Sequence, residues 1–269
     1  MIVDSFILCN ELDLLEARLE YLYNSVDKFV VVEADTKFNG SKRELTHFNS
    51  LNRFNKYLDK IIYSPVSVDT GDLCFDVSID SYNPDIPHWK IEAQVRNSIT
   101  LTLPVFHNST CVMLSDIDEI PRIEAFRVAA RNLSRKVPYL VLKQQMFYYN
   151  FERVQVDPWF GTIVTTARSF REVGAQPLRE QRNSIPHVTE GGWHLSCWMT
   201  PEEISEKIKS FSHQEFNKEE YTDTNNIIKN LKETGDYLGR GYNKFNTFDI
   251  NNLPEDFRTI ITKYTGKGA

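Results

Sequence analysis

Cys111-Val112-Met113-Leu114-Ser115-Asp116-Ile117-Asp118-Glu119-Ile120-Pro121-Arg122 passes without a break from an apolar run into three carboxylates. Cys111–Leu114 predicts an interior strand that ends abruptly in acid. In an open parallel sheet, ligands bind outside the carboxyl ends of the strands, where the strand order reverses. If extended geometry continues, Asp116 and Asp118 point to the same side, roughly 7 Å apart. Two carboxylates so placed suit a divalent cation that also grips phosphate oxygens. Such a cation would neutralise the diphosphate of a nucleotide and help it leave. The plain alternative is an acidic cap on a helix starting near Pro121, but a cap needs one acid, not three behind a buried strand. An EF-hand loop is excluded, because its sixth and twelfth positions hold Pro121 and Arg127 instead of Gly and Glu. A haloacid-type phosphatase would need a nucleophilic Asp after the first strand, where this chain has Cys9-Asn10-Glu11.

Working outward, apolar runs alternate with helical patterns. Ile2–Cys9 predicts a strand, with Asn10 and Asp13 placed to cap a helix that carries Leu12, Leu15, Leu19 and Leu22 at helical spacing. Phe29–Val32 is apolar throughout and rich in β-branched residues, as an interior parallel strand should be. Leu51–Leu58 predicts a short helix, Ile61–Tyr63 a short strand, and Ser64–Pro87 a long surface loop. His88–Leu103 reads as a helix, with Ile91, Val95, Ile99 and Leu103 on one face and Pro104 at its end. That rhythm predicts βαβ units and a mostly parallel sheet with right-handed crossovers. Later come strand candidates at Tyr139–Tyr149 and Thr162–Ala167, then a Gly-Gly-Trp-His turn. A helix opened by the capping box Thr200-Pro201-Glu202-Glu203 follows, and charged helices complete the chain. The expectation is an α/β fold in a single domain over residues 1–269, with a central sheet flanked by helices. Residues 1–122 would bind a nucleotide; residues 123–269 would bind an acceptor and add the last helices.

Composition narrows the partners. With 31 Lys+Arg against 37 Asp+Glu the net charge is −6, and the basic residues form no stripe, so a nucleic-acid partner is not expected. No stretch approaches the roughly 20 apolar residues of a membrane span. The N-terminus turns acidic by Asp4 and lacks the basic start of a signal peptide, so a cytoplasmic location is expected. Cys9, Cys74, Cys111 and Cys197 lie far apart with no C-x-x-C pair, which reads as free thiols in a reducing compartment.

Several blocks, in order along nearly the whole chain, resemble glycosyltransferase family 17. They are Phe6–Leu19 (FILCNELDLLEARL), Val26–Ala34 (VDKFVVVEA), Trp89–Asn97 (W-x-x-E-x-x-x-R-N), Ser115–Arg122 (SDIDEIPR), Gly191–Ser196 (GGWHLS) and Ser210–Phe216 (SFSHQEF). The resemblance implies a GT-A-like fold with a D-x-D motif at Asp116–Asp118. It also implies an inverting transferase moving N-acetylglucosamine from UDP-N-acetylglucosamine onto a glycan acceptor, with Mn2+ or Mg2+ as cofactor. By the same resemblance Asn10, Glu11 and Glu33 would face the nucleoside. Asp116 and Asp118 would serve metal and diphosphate, and His194 would complete the metal shell, with His213 as its competitor.

Other assignments rest on the residues themselves. Trp89, Glu92 and Arg96 share one helix face, which would bring Arg96 to a phosphate or to the acidic loop unless it only braces the helix through Glu92. Glu33 follows FVVV directly, where a solvent-facing strand end has no need of an acid. An inverting transfer needs a carboxylate base, and of Asp157, Glu172, Glu180 and Glu190 the last leads because it adjoins Gly191-Gly192-Trp193-His194. Glu119 is a further catalytic candidate, or orients its neighbours. Met146–Phe151 with Trp159 and Trp193 would supply an aromatic acceptor platform, about half of it facing the core. The competing readings are a metal-dependent phosphohydrolase, which would want more than six His, and a non-catalytic carbohydrate-binding protein of the same fold.

Overall fold

In the computed structural model, which describes residues 1–46, 51–76 and 81–267, eleven strands form one sheet. They are β1 (Ile2–Leu8), β2 (Lys28–Ala34), β3 (Ile61–Val66), β4 (Cys111–Asp116), β5 (Glu119–Pro121), β6 (Tyr139–Tyr148), β7 (Arg153–Gln155), β8 (Trp159–Thr166), β9 (His187–Val188), β10 (Gly192–Ser196) and β11 (Phe245–Thr247). The main path runs β11-β7-β6-β8-β4-β1-β2-β3, with β10 beside β5 and β6, and β9 beside β6. Only β5, β7 and β8 run against the common direction, so the sheet is parallel from β1 to β4 and mixed beyond β4.

Alternation sorts the core. Phe29 and Val31 of β2 face the Leu12–Leu22 helix, in a cluster with Leu15, Leu19, Met113 and Phe257. Val30 and Val32 face the opposite layer, with Ile91, Val95, Ile99 and Leu178. A strand with apolar partners on both faces must be apolar throughout, which is why FVVV reads as it does. The Glu255–Thr265 helix closes the first face, with Phe257 stacked on Trp193 (ring centroids 3.7 Å apart).

Where the structure departs from expectation, the reasons are local. Asn10 does not cap the first helix. Glu11 stands at the N-cap, and its own carboxylate accepts from the backbone N–H groups of Cys9 and Asn10. The expected helix to Leu103 is cut into Pro87–Asn97, Ile99–Thr102 and a 3-10 turn, Leu103–Val105, that contains Pro104. Ser64–Val66 extends β3; residues 77–80 of the expected loop lie outside the described residues. Gly191-Gly192-Trp193-His194 is not a turn but the entry to β10. The glycines admit neighbouring strands: a Cβ on Gly192 (φ +126°) would sit 2.2 Å from the Ile120 carbonyl oxygen, and one on Gly191 2.7 Å from the Lys143 nitrogen. The Thr200 capping box is present with both of its hydrogen bonds.

The strand order reverses at β1, since β2 and β3 build to one side and β4 to the other. Leu8 stands beside Glu33, and Ile7 beside Asp116, so three strands end together there. One buried cation ties that edge. Arg18, on the first helix, donates two hydrogen bonds to the Asp4 carboxylate (both 2.8 Å), and its Nη1 donates to the carbonyl oxygens of Asp116, Ile117 and Glu119 (3.2, 3.1 and 2.7 Å). Arg18 and Asp4 are fully buried.

Arg18→Met strands the Asp4 charge and is expected to cost about 3–5 kcal/mol in urea denaturation, whereas Asp4→Leu/Arg18→Met recovers most of that loss. A single mutant as stable as the parent would mean the pair does not hold this edge.

Candidate active site

The acidic loop leaves β4 at Asp116 and turns at once into β5, which places Asp118 between the two strands. The Asp118 carbonyl accepts from Leu195 N–H (2.8 Å), and Glu119 pairs with His194 in the ladder to β10. The Asp118 carboxylate lies 3.3 Å from His194 Nε2. Burial opposes ionisation of Asp118, but the charge and hydrogen bond of His194 outweigh it and hold the carboxyl below its usual range. His194 Nδ1 is buried and has no hydrogen-bond partner among the described residues. Sequence expectation and structure therefore meet here: the two residues, far apart in the chain, are brought together at the strand switch point.

Asp116 is differently occupied. One carboxylate oxygen accepts from Arg96 (3.2 Å) and the other from Arg179 (2.5 Å). Burial would raise its pKa, and the two guanidinium groups reverse that, holding it well below the carboxylate range. Arg96 does both things expected of it, pairing with Glu92 (2.7 Å) and reaching the acidic loop. Glu119 is fully buried and spends its oxygens on Arg179 (2.6 and 3.0 Å), the Trp159 indole N–H (2.6 Å) and the Asp116 backbone N–H (3.0 Å). It has no free lone pair directed at a substrate, so the geometry makes it an orienting group and not a proton acceptor.

The remaining expected residues divide. Glu11 faces Lys207 (3.6 Å) from the Pro201–Ser210 helix, across the mouth of β1. Between them Cys9 is no nucleophile, since burial, with Glu11 nearby, pushes its thiol up to about 12. Asn10 is exposed beside them. Glu33 does not face solvent. It is fully buried and accepts from Arg43, Thr46 and Tyr63, bracing the strand end against residues 43–46. Glu190 stands apart: it is exposed, ion-paired to Arg122 (3.2 Å), and lies four residues before His194 along the β10 approach, roughly 13 Å by strand rise. His213 pairs with Glu215 (2.7 Å) and packs edge-on against Trp89, not against Asp118. Of the expected aromatic platform, Phe147, Tyr148, Phe151 and Trp193 are core, while Trp159 reaches the site.

Sequence reasoning missed Arg179 and Arg182, on the Ala175–Gln181 helix and the turn after it, and also Lys207. The signal was present as Arg179-x-x-Arg182, a spacing that puts two guanidinium groups on one face.

Among the described residues no three His, Cys, Asp or Glu side chains group to hold a cation alone. Two do fit one. An oxygen and a nitrogen 3.3 Å apart match neighbouring corners of an octahedron with bonds of about 2.1–2.3 Å, and a Mg2+-like ion held by one or two side chains takes its other ligands from phosphates and water. Asp118 and His194 are the donors that could hold it; Asp116 is taken up by two arginines.

A model of glycosyltransferase family 17 matches residues 1–250. The chain belongs to glycosyltransferase family 17. No curated protein matches it in sequence. Among solved structures, the 4-diphosphocytidyl-2C-methyl-D-erythritol synthase of Anaerococcus prevotii aligns at 11% identity and a TM-score of 0.41, over 81% of this chain and 99% of that one. The 2-C-methyl-D-erythritol 4-phosphate cytidylyltransferase of Francisella tularensis aligns at 10% and 0.38 (70% and 90%). The galactosyltransferase LgtC, solved with donor and acceptor sugar analogues, aligns at 11% and 0.33 (70% and 66%). Likeness at that level adds nothing to the argument, which rests on the family and on this chain's own geometry. In this family 17 member the GT-A-like α/β arrangement implied by the motifs is the one observed, with Asp116-Ile117-Asp118 at the strand switch point. Among the described residues no helix is long and apolar enough to cross a membrane.

Arg179→Met leaves Glu119 buried without its cation. It is expected to lower stability by about 3–5 kcal/mol, measured by urea denaturation. Arg179→Lys restores only part, because an ammonium cannot serve Glu119 and Asp116 together as a fork does.

Proposed function

We propose that this chain is an inverting transferase that moves a sugar from a nucleotide sugar to a glycan acceptor, with the donor diphosphate seated where β1 and β4 end. Family 17 membership carries the transfer of a sugar. The observation that carries the rest is the pair of partly exposed Asp118 and buried His194, 3.3 Å apart, at the switch point of the sheet. The family resemblance favours UDP-N-acetylglucosamine as donor and Mn2+ or Mg2+ as cofactor. When bound, the cation supplies positive charge against the leaving diphosphate.

The protein's own part is positioning. Arg18 fixes the carbonyls of the loop that presents Asp118, so the carboxylate does not have to be ordered when the donor arrives. Arg96 and Arg179 absorb the charge of Asp116 and leave Asp118 as the open carboxylate of the D-x-D. Lys207 and Glu11 face each other over the end of β1, on the nucleoside side of the pair. Glu190 lies outside this group.

Titration of UDP-N-acetylglucosamine by calorimetry, with and without Mn2+, tests the reading. Binding is expected to depend on the metal and to fall at least tenfold in Asp118→Asn and His194→Ala, which retain the parent's urea midpoint to within a small shift. Metal-independent binding, or unchanged affinity in both variants, would overturn the cation's assignment. Equal binding of UDP-glucose would leave the transferase and reopen the donor.

A further inference from the structure

Three guanidinium groups gather at the end of β4, and one of them differs from the others. Arg96 and Arg179 are bonded to Asp116, Glu92 and Glu119. The guanidinium of Arg182, three residues beyond Arg179, makes no hydrogen bond or ion pair with any described residue. It is not simply a solvated surface arginine. Its guanidinium lies 4.5 Å from the centre of the Trp159 ring, and burial, followed by the nearby charge of Arg179, pulls its pKa down to about 10. The charges of Glu119 and Asp116 act on it in the opposite sense without outweighing burial and Arg179. Neither acid bonds to it, so a half-buried cation is left with donors unspent.

The support beneath it is rigid. The Trp159 indole N–H donates to Glu119 (2.6 Å), which is itself locked by Arg179, and the Trp159 ring lies 4.6 Å from the His194 ring. The contacts thus run unbroken from Asp118 through His194 and Trp159 to Arg182. Stacking orients a guanidinium without consuming its N–H groups. What remains is a planar fork of donors, which matches two oxygens of one phosphate.

We propose that Arg182, held on Trp159, is a direct phosphate ligand of this enzyme, gripping the non-bridging oxygens of the donor's diphosphate beside the Asp118–His194 pair. The inference rests on the nucleotide-sugar reading above and deepens it. As the bond between sugar and phosphate oxygen breaks, the electron pair stays on the leaving phosphate, and a guanidinium already in position stabilises that growing charge without reorganising. Asp116 then has a clear purpose: it holds Arg179 away from the ligand, so Arg182 is the arginine left to bind.

The test uses the full chain and three probes, inorganic pyrophosphate, UDP and uridine, titrated by calorimetry with Mg2+ present. Arg182→Ala, on an irregular surface turn, is expected to weaken pyrophosphate and UDP by roughly ten- to a hundredfold while leaving uridine unchanged. Arg182→Lys should recover only part, because an ammonium keeps the charge and loses the fork. Parent-like affinity of Arg182→Ala for pyrophosphate and UDP would overturn the proposal, as would failure of the parent protein to bind either. Arg182-dependent pyrophosphate binding with UDP held no tighter would sustain the phosphate site and remove the nucleotide reading, which separates the two claims.

Discussion

Everything at the ligand edge of this molecule hangs on a buried cation that never needs to meet a ligand. Arg18 sits with no solvent contact, balanced by Asp4, and spends the rest of its donors on three backbone carbonyls of the acidic loop. A loop that turns sharply between two strands has carbonyls that no ladder can satisfy, and unpaired they would be costly inside the protein. By collecting them, Arg18 makes a helix, a strand and the D-x-D loop parts of one rigid body. The Asp4 charge is the condition for that cation to be buried at all.

From that anchor the electrostatics unfold in layers. Glu119 and Asp116 look like ligands in the sequence, yet the structure pairs them with Arg179 and Arg96. Behind the working pair lies a neutral lattice of carboxylates and guanidinium groups. In front of it stand Asp118 with His194, and Arg182, stacked on Trp159 with no ion pair among the described residues. The separation matters because buried acids left unneutralised would be costly inside the protein and would repel any anion brought to this edge. The apparent excess of acid in Ser115–Arg122 is thus an internal counter-charge for arginines that come from later in the chain.

The parts legible in the sequence were those whose cause is local. FVVV and CVML announce strands because a strand covered on both faces has to be apolar, and the Thr200 box shows in four residues. Asp116 and Asp118 drew attention because acids are unexpected at the end of an interior strand, yet Asp116 proves to have a structural partner in each of two arginines that the local sequence does not reveal. The role of Glu33 was hidden because its partners, Arg43, Thr46 and Tyr63, come from two later segments. β5 has three residues and no pattern of its own; it exists because β10 offers it a partner. Glycines that suggested a turn before His194 serve instead to let two strands close on a third. For the same reason, the splitting of the acids into Asp116, bound to two arginines, and Asp118, beside His194, depends on where a helix sixty residues later happens to land.

Gly192 carries a consequence for how the molecule comes into being. Its backbone passes so near Ile120 and Arg122 that β10 slots between β5 and β6 as the last piece of a joint, and His194 arrives with it. β1 to β4 pair among themselves without it, so the first half of the chain sets the strand order that carries the acidic loop. The loop that follows β4 has Asp118 but lacks the histidine opposite. The Asp118–His194 pair therefore belongs to neither half alone, and exists only when a strand from the later half threads home.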